Sequence, residues 1–423
     1  MTLTRRIAIA LAVVGSFSPP TAAPVQALTW TCSTVARKNA PDPNGDLFRN
    51  HFNEPDVNGS GDVVFISRTS ERRLYLYPAA GTPEIVAAEG GPVVDDATFT
   101  NFRWPSINDS GDIGFFGDLA LGQGVFLRPA GGGLRAAVLS GATAPPPGGT
   151  FQTFAWVSRA NAVGDLAFAA TVSGGPNGVF LFDRSAATTR SVARVGDATG
   201  DGRKFCELTT DTAVGVGDSG SVIFHALTKP DCGNASDPGK PGIWLRTSGT
   251  FTALAEAGGT SPISGASYEA FFGPPLSNAS GQVLFRSHLT GASSAMGLFL
   301  FDPAGPRTTT LAIGREPEPA SGGMLKTIAP PGGLTAGNRA LFRSSLQRGA
   351  ARDGIFLSGD PIEAVVLGSG IAPTDVFGPG STYRRLNEQT AVDRSGTNAT
   401  FSAKVRDTNR PHAQSALMRC SGS

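Results

Sequence analysis

The chain has 423 residues, of which 35 are Lys or Arg and 34 are Asp or Glu, so its formal charge at pH 7 is +1. A near-neutral chain with 16% charged residues lacks the basic excess that phosphate backbones require, which argues against nucleic acid as a partner. Its 55 glycines and 31 prolines indicate many tight turns, and no stretch has a sustained helical period with caps, which favours an all-β fold.

Residues 1–27 are predicted to be a signal peptide. Two arginines precede an apolar run from Ile7 to Val14, and a small-x-small cleavage pattern ends at Ala27. The apolar run is too short to span a bilayer, and the sequence has no second one. We therefore expect residues 28–423 to form a mature chain that is secreted, extracellular or periplasmic, without a transmembrane segment.

One pattern recurs seven times in the mature chain. It consists of a turn rich in Asn, Asp and Gly, and a short alternating strand that ends on phenylalanine. A glycine, or asparagine in the sixth copy, supplies the positive φ that such turns need. Successive phenylalanines are 50 to 61 residues apart, which predicts a repeat architecture with a period of about 56 residues. They are Phe65, Phe115, Phe168, Phe224, Phe285, Phe342 and Phe401.

Each repeat is predicted to contain four strands. After the strand that ends at Phe115 come the strands Gly124–Leu127 and Ala136–Leu139, a link rich in Pro and Gly, and the strand Phe151–Ser158. Four antiparallel strands are one propeller blade, and the link is long enough to cross from the outer edge of one blade to the inner edge of the next. The sequence therefore predicts a seven-bladed β-propeller over residues 28–423, with the Phe-rich strand innermost.

The two ends of the mature chain complement each other. Trp30–Arg37 matches the outermost strand of a repeat, and Ala416–Cys420 matches the third strand, with no fourth strand after it. The N-terminal strand is therefore expected to complete the last blade, which leaves no exposed sheet edge at the closure.

The four cysteines are even in number, which in an exported protein indicates disulfides. Four cysteines allow three pairings, and the sequence alone does not choose among them. A closed propeller places Cys32 beside Cys420 on neighbouring strands. It also places Cys206 and Cys232 in loops on one face of the fourth blade.

One copy of the repeat resembles a known family. Residues Asn161–Phe168 read N-x-x-G-x-x-A-F, which is similar to the tandem repeat of a family of exported bacterial proteins named for it. Other copies depart from this repeat at the position of Ala167. The resemblance covers nearly all of the mature chain and implies export and a β repeat structure of the propeller type. It implies no catalytic residues.

The candidate metal ligands are Asp42, Asn44 and Asp46, which alternate like the oxygen ligands of a calcium loop. Leu47 stands where such a loop has glycine, and Asn53 stands where it has glutamate. We therefore favour a plain turn here and predict no cofactor, with calcium as the alternative.

The candidate binding residues are cations in the predicted loops between the second and third strands of several blades. These loops share a face with the links between blades, and exposed loops on a rigid scaffold commonly bind ligands. Ordinary solvated charge is the alternative explanation. The residues are Arg72, Arg73, Lys229, Arg348, Arg352, Arg406 and Arg410.

No catalytic motif stands out: the sequence has no G-x-S-x-G elbow, no phosphate loop, and no histidine spacing typical of a metal site or triad. The favoured interpretation is a monomeric, non-catalytic binding or scaffold module for a glycan or an extracellular protein. The alternative is a secreted polysaccharide hydrolase or lyase, which would need Asp, Glu, Tyr or Arg pointing inward from several inner strands. Those strands, such as Phe271–Leu276, are mostly apolar, which disfavours the alternative.

Overall fold

The structure is a computed structural model that describes residues 29–49, 51–93, 97–208, 212–292, 296–410 and 412–423. The predicted signal peptide, residues 1–27, lies outside the described residues. Within the described ranges, no helix has the length and apolar character needed to cross a membrane.

Seven antiparallel sheets follow one another in chain order, which confirms the seven-bladed β-propeller. The chain begins with β1 (Trp30–Arg37), which belongs to the last blade. Blade 1 contains β2 (Phe52–Val57), β3 (Val63–Arg68), β4 (Arg72–Tyr77) and β5 (Glu84–Ala88). Blade 2 contains β6 (Phe99–Ile107), β7 (Ile113–Leu119), β8 (Gly122–Arg128) and β9 (Arg135–Leu139). Blade 3 contains β10 (Thr150–Val157), β11 (Leu166–Ser173), β12 (Gly178–Asp183) and β13 (Thr188–Arg194).

The innermost strand is divided into two pieces in blades 4 to 6. Blade 4 contains β14 (Lys204–Glu207), β15 (Val214–Val216), β16 (Val222–Lys229), β17 (Lys240–Thr247) and β18 (Thr250–Glu256). Blade 5 contains β19 (Ser267–Phe271), β20 (Leu276–Ser277), β21 (Val283–Thr290), β22 (Met296–Asp302) and β23 (Arg307–Ile313). Blade 6 contains β24 (Pro317–Glu318), β25 (Gly323–Ile328), β26 (Gly333–Leu334), β27 (Ala340–Gln347), β28 (Asp353–Leu357) and β29 (Glu363–Leu367).

Blade 7 closes the ring with both ends of the chain. It contains β30 (Thr382–Val392), β31 (Asn398–Arg406) and β32 (Gln414–Gly422), and β1 pairs antiparallel with β32 as its outermost strand. Cys32 lies directly opposite Cys420 in this pair and is disulfide-bonded to it, while Cys206 is bonded to Cys232 in blade 4. Two disulfides suggest an oxidising, extracellular or periplasmic environment.

The core lies between the blades. The seven repeat phenylalanines are at most 1% exposed, and each packs into a cluster shared by neighbouring blades. Phe65, for example, stacks on Tyr75 of its own blade with ring centroids 5.2 Å apart, and its cluster includes Ala391 and Leu417 of blade 7. Burial of a phenylalanine stabilises by about 1.5–3 kcal/mol, so these seven positions stabilise every junction between blades.

The repeat asparagines connect successive blades. The side-chain Nδ2 of Asn108 donates to the carbonyl of Asn161 at 2.8 Å, and that of Asn161 donates to the carbonyl of Gly217 at 3.1 Å. The Oδ1 of each asparagine accepts the backbone N–H four residues later, which closes its own turn. The asparagine is therefore a junction residue as well as a turn residue.

Candidate functional site

The innermost strands face a central channel, and bulges interrupt them. Register shifts occur in both β2 and β6. Glu54 and Trp104 lie at these bulges with φ of 50° and 51°, and each precedes a proline. Positive φ is uncommon outside glycine and needs support from surrounding structure. The bulges take Glu54 and Trp104 out of the regular ladder, and both residues line the channel.

Residues from the inner strands of all seven blades line a cavity of about 380 Å³ in this channel. Part of its wall is apolar and includes Trp104, Pro274 and Pro330. Charged residues also line it, from blades 1, 2, 3 and 7. The inner strands are thus less apolar than the sequence suggested. The charged residues are Glu54, Asp56, Asp109, Arg159, Glu388, Asp393 and Arg394.

Two arginines span the channel at the end where first and second strands connect. Arg159 of blade 3 donates through Nη1 to the carbonyl of Gly332 in blade 6 at 2.8 Å, and it also forms an ion pair with Asp56 of blade 1. Arg394 of blade 7 forms an ion pair with Asp218 of blade 4. Blades 3 and 6, like blades 4 and 7, are as far apart as a ring of seven allows. Both guanidinium groups therefore lie across the channel.

Burial lowers the pKa of Arg159 to about 10, and the nearby charge of Arg394 acts in the same direction. A pKa of about 10 leaves Arg159 protonated at neutral pH. The channel therefore keeps the Arg159 cation at neutral pH.

Glu54 is a half-buried carboxyl in the cavity wall. Its Oε2 accepts the backbone N–H of Trp104 at 2.5 Å, and its own N–H donates to Oε1 of Gln389 at 3.0 Å. Burial raises the pKa of Glu54, although the Trp104 hydrogen bond opposes this effect. The carboxyl therefore holds a proton more readily than an exposed glutamate does, and it can interact with a hydroxyl group of a ligand.

An arginine contacts the turn whose alternative interpretation was a calcium loop. Nη1 of Arg73 lies 2.5 Å from Oδ2 of Asp42, and Nη2 of Arg73 lies 2.7 Å from Oδ2 of Asp46. Asp42 also accepts hydrogen bonds from Tyr75 Oη and from the Asn44 N–H. Within the described ranges, no group of three His, Cys, Asp or Glu side chains is arranged to hold a metal ion. A cation at this turn would have to displace the Arg73 guanidinium.

The predicted loop cations lie in the second-to-third-strand loops of blades 1, 4, 6 and 7, at the ends of strands or between them. Arg73 differs from the expectation of an exposed binding residue, because it is 6% exposed and its charge is balanced within its own blade. Arg72 and Lys229 are half-buried. Four others are exposed and are divided between blades 6 and 7: Arg348, Arg352, Arg406 and Arg410.

Glu54, Arg159 and Arg394 were not predicted from the sequence as site residues. Arg159 lies two residues before its repeat turn and Arg394 lies within its repeat turn, at positions where neighbouring copies have other residue types. A charged residue at the inner end of this turn is the signal that would have indicated the channel.

The sequence of this chain matches a family profile over residues 57–418. The chain belongs to DUF7453, a family of unknown function. A comparison with curated proteins found no match. The resemblance of one copy to the N-x-x-G-x-x-A-F repeat stays a prediction.

Several solved structures are similar to this chain at low sequence identity. An oligogalacturonate lyase from Vibrio parahaemolyticus is 10% identical, with a TM-score of 0.46 over 93% of this chain and 97% of that one. The polysaccharide lyase Uly1 is 9% identical, with a TM-score of 0.45 over 89% of this chain and 91% of that one. TolB from Acinetobacter baumannii is 13% identical, with a TM-score of 0.34 over 68% of this chain and 56% of that one. The chain spans about half the length of the first structures that it matches. These similarities carry no argument about function.

Proposed function

We propose that this chain is an exported, non-catalytic binding protein whose ligand is a glycan that occupies the central cavity. The observation that carries the proposal is the cavity itself, which is lined by all seven blades and has a volume of about 380 Å³. Small-molecule sites are commonly about 300–1,000 Å³, with mostly apolar walls and a few placed polar groups. The channel has both features.

A saccharide matches the chemistry of this wall. Sugar rings have an apolar C–H face and a rim of hydroxyl groups. Trp104 and the channel prolines offer apolar surface to the ring face, while Glu54 and Gln389 offer hydrogen-bonding groups to hydroxyls. The two cross-channel arginines occupy the turn end, so we propose that the ligand enters from the face with the links between blades. Export is supported by the two disulfides and by the predicted signal peptide.

The first experiment measures the melting temperature of the oxidised mature chain against a panel of neutral and acidic oligosaccharides. A ligand at 100 times its dissociation constant stabilises by about 2.7 kcal/mol. We expect one glycan class to raise the melting temperature of the wild type. We expect Glu54→Gln, which keeps the acceptor for the Trp104 N–H, to lower the affinity for that glycan about tenfold.

The matched control is Glu207→Gln, an exposed glutamate on β14. It should bind the glycan like the wild type. No shift with any glycan, or equal binding by Glu54→Gln and the wild type, would contradict a site in the channel.

A polysaccharide hydrolase or lyase is the second candidate function, because the carboxyl of Glu54 lines the cavity and its pKa is raised. General acid catalysis uses such a carboxyl. Assays for new reducing ends and for unsaturated products distinguish the two candidates. A binding protein gives neither product, whereas turnover that Glu54→Gln abolishes while binding persists would establish the enzyme.

A further inference from the structure

We propose that Arg286 and Phe272 of blade 5 form a subsite for a carboxylate-bearing sugar ring beside the central cavity, next to the cavity-lining Gly273. This proposal rests on the proposed function, because it names the class of glycan that the channel takes. The subsite would hold the ring on the Phe272 face and the carboxylate on the Arg286 guanidinium.

Arg286 is an arginine without a counter-ion. It is half-buried on β21, directly after the repeat phenylalanine, and its Nε is buried with no hydrogen-bond partner. Four other described arginines also have a buried, unpartnered Nε, but each donates through another nitrogen: Arg135, Arg184, Arg194 and Arg343. Within the described ranges, the guanidinium of Arg286 makes no hydrogen bond or ion pair.

The surrounding charges do not neutralise Arg286. Burial lowers the pKa of Arg286, and Glu388 of blade 7 is the acid that opposes this effect. Glu388 lies 3.6 Å from Nη1 of Arg343, whose Nη2 bonds Asp353 at 2.9 Å. Arg343 is therefore balanced by two acids, whereas Arg286 contacts none. A half-buried charge without a partner is costly and needs an explanation, and an anionic ligand supplies one.

Phe272 makes the subsite specific for a ring. Its side chain is 43% exposed, although it is an aromatic residue beside the cavity-lining Gly273. The Cζ of Arg286 lies 5.8 Å from the centroid of the Phe272 ring. An exposed aromatic face binds the C–H face of a pyranose, and a guanidinium binds a carboxylate through two parallel hydrogen bonds. A uronic acid ring carries both groups.

The test is isothermal titration calorimetry with oligosaccharides of glucuronic and galacturonic acid and with their carboxyl-reduced counterparts. These pairs differ only in the carboxylate. We expect the wild type to bind one acidic oligosaccharide at least tenfold more tightly than its reduced form. Arg286→Gln should abolish this preference, Arg286→Lys should retain part of it, and Phe272→Leu should weaken both forms. Arg307→Gln, an exposed arginine on β23, is the matched control and should bind like the wild type.

The outcomes separate this proposal from the proposed function. Equal binding of acidic and reduced forms would overturn the carboxylate subsite and leave glycan binding in place. An acidic preference that survives Arg286→Gln, or tighter binding of sulfated oligosaccharides than of uronic acids, would also overturn it. No binding of any glycan would overturn both. Without ligand, Arg286→Gln should melt at or above the wild-type temperature, because it removes an unpaired charge. A clear decrease would instead assign Arg286 a structural role.

Discussion

Arg73→Met gives the sharpest test of how the first blade is held. Arg73 is 7% exposed as a side chain and contacts Asp42, whose side chain is fully buried, together with Asp46 and Glu71. Methionine keeps the apolar length of the arginine and removes its charge. The substitution therefore leaves the carboxylate of Asp42 buried without a counter-ion.

The expected loss of stability depends on the hydrogen bonds that Asp42 keeps in the Arg73→Met variant. Removing one partner of a buried ion pair costs about 3–5 kcal/mol. Asp42 keeps three donors: Tyr75 Oη at 3.0 Å, the Asn44 N–H at 2.9 Å and the Asp46 N–H at 3.0 Å. We therefore expect Arg73→Met to lower the free energy of unfolding by about 3 kcal/mol, the low end of this range. With an unfolding entropy of about 2.1 cal/mol/K per residue over roughly 390 residues, this loss lowers the melting temperature by about 4 °C.

The assay is calorimetric or fluorescence melting of the wild type and three variants. Arg68→Met is the matched control, since Arg68 is 60% exposed and lies 3.7 Å from Glu89. It should change the melting temperature by less than about 1 °C, because exposed ion pairs contribute about 0–1 kcal/mol. Asp42→Asn combined with Arg73→Met should recover part of the loss, because the pair is coupled. Millimolar calcium should leave the wild type unchanged.

Equal melting of Arg73→Met and the wild type would refute this reasoning, as would an equal loss in Arg68→Met. An increase in the wild-type melting temperature with calcium alone would show that the turn binds a cation despite Arg73. That result would restore the calcium loop as the function of Asp42 and Asp46.

Three further predictions concern the ring as a whole. The ring-closing disulfide Cys32–Cys420 has a sequence separation of 388, and Cys206–Cys232 has one of 26. If a disulfide stabilises by restricting the unfolded chain, replacing Cys32 and Cys420 with serine should lower the free energy of unfolding by about 6 kcal/mol. Replacing Cys206 and Cys232 should lower it by about 3.5 kcal/mol, and urea denaturation measures both losses. Asn161→Ala should cost about 2–3 kcal/mol in the same assay because it leaves buried turn groups unpaired, whereas the exposed Asn234→Ala should cost almost nothing. Burial lowers the pKa of His225 to about 4 in the folded protein, whereas the ordinary pKa of histidine is about 6.5. The unfolded chain therefore takes up this proton at a higher pH than the folded chain does. The free energy of unfolding should fall as the pH is lowered from about 6.5 to about 4 in the wild type, and it should fall less in His225→Asn.

The fold could be predicted because the repeat residues report packing directly. The phenylalanines are buried wherever the repeat places them, and the match of Trp30–Arg37 to an outermost strand gave the closure. The hydrogen bonds of Asn108 and Asn161 to neighbouring blades were not predicted. Such a bond depends on how the blades pack, and it leaves no local pattern in the sequence. Turn chemistry alone explains an asparagine there, so the junction was invisible in the sequence.

The candidate site could not be predicted for a related reason. Arg159 meets Asp56 and Gly332 only because three blades surround one axis, and the three residues are far apart in sequence. The loop cations were chosen by their predicted exposure. Arg73 shows the weakness of that criterion, since a loop-end arginine became buried when the link Asn39–Asp46 placed two carboxylates beside it.

The position after each repeat phenylalanine carries different residue types in different blades. The residue after each repeat phenylalanine faces the next blade, and packing alone would be satisfied there by apolar side chains, as in blades 1 to 3. Blades 4, 5 and 6 instead have His225, Arg286 and Arg343 in succession. The residues at this position in chain order are Ile66, Phe116, Ala169, His225, Arg286, Arg343 and Ser402. A half-buried charge without a partner lowers stability, and Arg286 lacks a partner among the described residues, whereas Arg343 pairs with Asp353. The three ionisable residues lie in blades 4 to 6, whereas the charged residues that line the cavity come from blades 1, 2, 3 and 7.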